Sequence, residues 1–201
     1  MMEKMTRAQQ KQQTRLTIFN AAVALFKQKG YEQVTIAEIA SDAKVSVGTF
    51  YVHFKTKQDI VSISYYEGLN AFMVEEYGKC PPDYQAIEKL EYLLNLEFQF
   101  ADQAGVELTT LAFVANLTQA LTDSTAHFNK RTFTRYLQEA VVELTEMISV
   151  AMSPDFVFKE LESAVRGMMA TWCFARGTFD IRQDGKYLIQ DLLVGLQLKK
   201  G

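Results

Sequence analysis

The chain has 201 residues, 48% of them apolar, with 3 Pro and 10 Gly; it is too apolar for a disordered chain and too poor in turn formers for a sandwich or barrel. Its net charge of -3 hides an asymmetry: residues 1–57 carry nine Lys/Arg against four Asp/Glu (+5), and residues 58–201 carry twelve against twenty (-8), a basic N-terminal module on an acidic body. Cys80 and Cys173 form no zinc or disulfide framework, the polar stretch from Met1 to Arg15 lacks a signal-peptide core, and no apolar run approaches the roughly 20 residues of a membrane span, so no membrane partner and a cytoplasmic location are expected.

The first predicted element is a helix over 7–29, with Leu16, Phe19, Ala22, Val23 and Phe26 on one face. Gly30, in the left-handed conformation, stops it, and Tyr31 follows as a hydrophobic contact. Thr35 and Glu38 form a capping box for a short helix bearing Ile36, Ile39, Ala40 and Ala43. Lys44 and Val45 interrupt it, and Ser46 caps a third helix over 47–54. That helix contains Gly48 and three β-branched residues, so packing of Phe50 and Phe54 must hold it. Thr56 and Asp59 cap a long helix to about residue 77, with an inner stripe through Ile60, Ile63, Ser64, Gly68, Ala71, Met73 and Val74. Further helices are predicted at about 83–104, 106–121, 125–151, 154–179 and 186–198, broken at Gly105, Ser153-Pro154 and Asp184-Gly185. The fold class is all-α with about nine helices and no internal repeat.

Three helices ending in two short ones joined by a tight turn make a helix-turn-helix. Val47, Gly48, Thr49 and Val52 give the third helix the small or polar face that major-groove entry requires. The hydroxyl-capped starts at Thr35, Ser46 and Thr56 suit phosphate. Tyr51 and His53 can donate to phosphates, and Lys57 adds charge. Arg7, Lys11 and Arg15 read equally as a basic arm or as a solvated helix face. His53 and His127 have no partner at metal-ligand spacing, and no catalytic motif occurs, so no metal, no cofactor and no enzymatic activity are expected.

The runs from Thr35 to Ala40 and from Val45 to Lys57, above all the order Gly48-Thr49-Phe50-Tyr51-Val52-His53-Phe54 with Lys57 three residues on, resemble the signature of TetR-family transcriptional regulators. The resemblance covers roughly residues 10–60. It implies a helix-turn-helix DNA-binding domain at 1–57 and a helical-bundle ligand-binding and dimerisation domain at 58–201. By resemblance Thr35, Ser46, Tyr51, His53 and Lys57 contact phosphates, while Val47, Gly48, Thr49 and Val52 lie near base edges. The family usually has Gly where Lys44 stands, so a positive φ there carries a strain of about 1 kcal/mol while adding a cation beside the DNA face. Val47 replaces a longer polar residue, which favours a thymine methyl contact over a base hydrogen bond.

The implied function is a ligand-responsive regulator, a repressor that binds a palindromic duplex operator as a homodimer and is released by a small effector. The competing reading is a small-molecule-binding or catalytic helical protein without DNA binding; it predicts no excess positive charge at 35–57. The body's aromatics suggest an apolar or aromatic effector, with Tyr65, Phe72, Tyr92, Phe100, Phe113, Phe133 and Tyr136 as candidate pocket residues and Asn116 and Arg166 as embedded polar ones. Dimerisation is expected through the last two helices, whose apolar residues run from Leu161 to Phe174 and from Leu188 to Leu198, with Ala164, Gly167 and Ala175 permitting close approach.

Overall fold

The computed structural model describes residues 6–121, 131–148 and 152–198, Gln119 by its backbone only. Nine α-helices and no strand occur among the described residues: α1 Arg7–Lys29, α2 Ile36–Asp42, α3 Val47–His53, α4 Lys57–Tyr77, α5 Ala86–Ala104, α6 Val106–Ala120, α7 Thr132–Met147, α8 Pro154–Phe174 and α9 Ile181–Gly195. They fall into two compact units, one ending at Ser64 and the other beginning at Tyr65, so the division lies within α4.

In the first unit Ile18, Ala21, Ala22, Val34, Ile39, Ala43, Phe50, Phe54 and Ile60 form one buried cluster. Of the predicted stripe of α1, Ala22 is buried and Phe19, Val23 and Phe26 pack against this cluster, while its N-terminal end differs. Ile18 and Ala22 are inside, whereas Leu16 is half exposed, because the inward direction is set by where α2 packs on α1 and not by apolar spacing alone. Gly30 ends α1 with φ 80 and ψ 150, an extended conformation at positive φ that only Gly adopts readily, instead of the expected left-handed one. The expected contact between Phe26 and Tyr31 is present, with ring centroids 5.2 Å apart.

The second unit is built around α5, which packs against α6, α7, α8 and α9. Leu90, Leu93, Leu94, Leu96, Phe98 and Ala101 are all buried along it, the pattern of a helix enclosed on several sides. α5 begins three residues later than predicted, because Gln85 and Glu88 form the capping box. Within this unit α4 buries Tyr65, Leu69 and Met73, while Val74 of the predicted stripe is 57% exposed. The expected break at Asp184-Gly185 is absent: both residues lie inside α9. Gly185 is there for packing, since a Cβ on it would stand 2.4 Å from the Phe98 ring. The real break is the turn Ala175–Gly177, where Arg176 (φ 53) and Gly177 (φ 71) are left-handed and Gly177 N donates to Trp172 O at 3.0 Å. Asp180 then caps α9 through Arg182 N and Gln183 N, both 3.0 Å. The predicted helix 125–151 is seen as α7, its flanks 122–130 and 149–151, with His127, lying outside the described residues.

Candidate nucleic-acid interface and effector region

The turn between α2 and α3 follows from local chemistry. Thr35 Oγ1 accepts from Glu38 N at 3.2 Å, and Glu38 Oε2 accepts from Thr35 N at 2.9 Å, completing the capping box. Glu38 also pairs with Lys29 at 2.8 Å; that bond, with the Thr35 bonds, holds its carboxyl down at about 2. α2 closes with Val45 N donating to Ala40 O at 2.9 Å, a closure that places Lys44 at φ 55, the left-handed region where the resembled sequences usually carry Gly. Ser46 Oγ accepts from Thr49 N at 3.0 Å and pairs with Thr49 Oγ1 at 2.8 Å, setting the start of α3.

Phe50 is fully buried under α3, with Phe54 beside it. That anchor turns the opposite face outward: Val47 is 43%, Tyr51 54% and Val52 68% exposed, with Gly48, Ser46 and Lys44 exposed along the same edge and Thr49 half-buried. Three large side chains are thus left in solvent on a seven-residue helix. His53 is held below the usual histidine range by burial and then by Lys11 and Arg15.

Two basic residues of this region act inside the unit. Arg15 Nη1 donates to His53 O at 2.7 Å and its guanidinium lies 4.4 Å from the Phe54 ring centroid. It satisfies a terminal carbonyl of α3 and favours the negative end of the helix. Lys57 Nζ donates to Tyr31 O at 2.8 Å and Val34 O at 3.0 Å, and sits 4.2 Å from the Tyr31 ring centroid. The Lys57 ammonium and the Thr35 hydroxyl are thus committed to intramolecular bonds. The exposed surface gathers Lys44, Ser46, Val47, Gly48, Tyr51 and Val52.

In the second unit the candidate pocket residues separate into groups. Tyr65 meets Phe100 edge-on at 5.0 Å, and Phe100 meets Phe72 at 5.4 Å. Phe133 is buried and Phe113 packs against the same core. Tyr136 stacks near Tyr77 at 5.2 Å. Tyr92 donates to Glu76 O at 3.2 Å and borders a polar cleft of about 690 Å³ between α5 and α9, which also takes in Glu88, Asn95, Asp180 and Lys186.

Asn116 and Arg166 belong to a polar cluster whose other members sequence reasoning missed. Asn116 Nδ2 donates to Tyr66 OH. Arg131 Nη2 donates to Asn116 Oδ1 at 2.8 Å, and its guanidinium lies 3.7 Å from the Tyr66 ring centroid. Arg166 pairs with Glu162 at 3.1 Å, yet burial shifts both toward their neutral forms and so outweighs the pairing. Glu97 on α5 is raised to about 7 by burial, against the pull of Arg131 and Arg166 and with a push from Glu162. The folded chain therefore holds this proton to higher pH than the unfolded chain, and stability falls as pH rises from the ordinary carboxyl range to about 7. Glu97→Gln is expected to remove that slope and to raise stability at pH 8 by roughly 1–3 kcal/mol, with no gain at pH 4, as read from denaturant midpoints.

No helix among the described residues is long and apolar enough to cross a membrane. The family profile described as bacterial regulatory proteins, tetR family, matches residues 18–62, the segment that carries α2, α3 and their turn. The TetC protein of transposon Tn10 from Escherichia coli is 41% identical over 61 residues, which span 30% of either chain. A fatty acid metabolism regulator protein of Bacillus subtilis is 23% identical over 94% of this chain and 99% of its own. Among solved structures, Thermus thermophilus FadR in complex with lauroyl-CoA shares the fold with a TM-score of 0.70 at 20% identity, over 93% of this chain and 97% of that one. Residues 18–62 are thus a segment of the tetR-family type, and over most of its length the chain is similar to transcriptional regulators.

Proposed function

We propose that the chain is a cytoplasmic homodimeric repressor that binds a palindromic operator and leaves it when an acyl thioester occupies the second unit. Residues 1–57 read DNA, and residues 58–201 dimerise and sense. The observation that carries this reading is the capped helix α3, anchored by Phe50 and presenting Val47, Tyr51 and Val52 to solvent in a segment of net charge +5. One such helix buries little surface, so two related by a twofold axis are needed for specific affinity. The competing helical protein without DNA binding gives no reason for that charge or that exposed face.

Dimerisation falls to the outward faces of α8 and α9. Leu161, Val165, Met169, Trp172, Leu193, Leu196 and Leu198 are buried within the single chain. The faces left over carry Gly167 and Thr171, with Phe174 88%, Tyr187 57% and Val194 41% exposed, small residues beside large apolar ones.

The effector class rests on the relatives: one is a fatty acid metabolism regulator and another was solved with lauroyl-CoA. The aromatic and polar surroundings of Tyr65, Phe72, Phe100 and Asn116 suit an apolar chain with a polar end. Helix α4 runs from Lys57 to Tyr77 and contributes to both units, so an occupant that shifts Tyr65 or Tyr66 acts on the helix that begins beside α3 in the chain. Lauroyl-CoA is expected to weaken operator binding at least tenfold, a coupling of about 1.4 kcal/mol, while coenzyme A without the acyl chain leaves it unchanged. Release by neither compound rejects the acyl effector and leaves the DNA-binding conclusion standing.

A further inference from the structure

Helices α4, α5 and α6 bring three buried oxygens together whose hydrogen-bonding capacity is unmet. Tyr65 is 2% and Thr109 0% exposed. The Tyr65 hydroxyl, Thr109 Oγ1 and Glu97 Oε2 are enclosed and have no hydrogen bond of good geometry among the described residues. The three are neighbours: Thr109 and Glu97 both act on the Tyr65 hydroxyl. A Tyr65–Thr109 bond would use one of their two O–H donors and leave the other, with the Glu97 carboxyl, still to be paired. Buried polar groups in folded proteins nearly always have partners, and each one left unmet costs stability.

The cluster is rich in O–H donors, each group also keeping acceptor capacity. Tyr and Thr hydroxyls donate, and Glu97, held protonated up to about pH 7, carries an O–H as well. Glu97 is also flanked by the cations of Arg131 and Arg166 and by the anion of Glu162, which leaves the surroundings positive when Glu97 is neutral. On the other side of Tyr65 stands the apolar pair Phe100 and Phe72.

We infer that Tyr65, Thr109 and Glu97 form the head-group end of the effector site, taking an acceptor oxygen of a carboxylate or a thioester carbonyl whose apolar chain lies against Phe100 and Phe72. The inference rests on the effector reading above and adds which residues hold the polar end.

The test uses the full chain, with lauric acid, lauroyl-CoA and dodecane as probes, followed by calorimetry and by thermal melts without probe. Tyr65→Phe and Thr109→Val each remove one unmet hydroxyl at nearly constant volume. Each is expected to raise the melting temperature by a few degrees and to weaken the head-bearing probe about fivefold to tenfold, with dodecane weaker than both in the parent chain. Binding of the acid alone identifies a carboxylate head, and binding of the thioester a carbonyl; either supports the site. Unchanged probe affinity in both variants overturns it, as does a lowered melting temperature with unchanged affinity, which would make the hydroxyls structural. Dodecane binding as well as the acyl probes overturns head recognition. A parent chain that holds operator DNA but neither acyl probe removes the effector reading itself, an outcome distinct from the others.

Discussion

Lys57→Met is expected to weaken the DNA-reading unit by about 2–3 kcal/mol, because hydrogen bonds to a charged group are each worth about 1.5–3 kcal/mol. The ammonium bridges Tyr31 O and Val34 O and covers the Tyr31 ring, so the methionine stem keeps the packing but leaves two part-buried carbonyls without their donor. The Tyr31–Val34 segment joins α1 to α2, and its loosening frees α2 and then α3, which packs on it. Hydrogen exchange of the amides in α1, α2 and α3 reads the effect directly. Operator binding should fall for every sequence, with the loss following the faster exchange. A lysine whose only role is a phosphate contact predicts the reverse: unchanged exchange, weaker binding and a salt dependence shallower by about one charge.

Gly185→Ala should destabilise the second unit by roughly 1–3 kcal/mol, the cost of overpacking. Helix propensity alone predicts a gain of up to about 1 kcal/mol, since alanine is the better helix former. The contact decides the sign. An added Cβ would lie 2.4 Å from Phe98 Cδ2 and 2.6 Å from Cε2, and Phe98 is fully buried on α5, so its ring has no free space to swing into. A shifted denaturant midpoint with an unchanged slope would record the loss. A gain in stability would mean that α9 sits farther from α5 than described.

The most readable parts of the sequence were those governed by local chemistry. Thr35 with Glu38, Ser46 before α3 and Pro154 at the start of α8 all depend on residues within one turn of each other, and all are present. The all-helical class followed from periodicity for the same reason. What the sequence hid was tertiary. Lys57 read as a phosphate contact and Arg15 equally as part of a basic arm or of a solvated helix face, yet each is bonded to a carbonyl more than 20 positions away. Asp184-Gly185 read as a break because glycine usually ends a helix; only the position of Phe98, on another helix, shows it to be a packing site. Glu97 reads as one more charged residue on a helix, and nothing local reveals that four other helices enclose α5. The outward face of α3 was legible because Phe50 and Phe54 fix which side is inward.

The central claim is that two copies of α3 read an inverted repeat. It is tested most directly by selecting bound duplexes from a random-sequence pool with the full chain and measuring the affinity of the enriched sequence as salt rises. The account predicts an enriched palindrome whose binding falls steeply with salt, on the order of a thousandfold or more between 50 and 200 mM if about six or more phosphates are contacted. Enrichment of no sequence, or binding indifferent to salt, would contradict it.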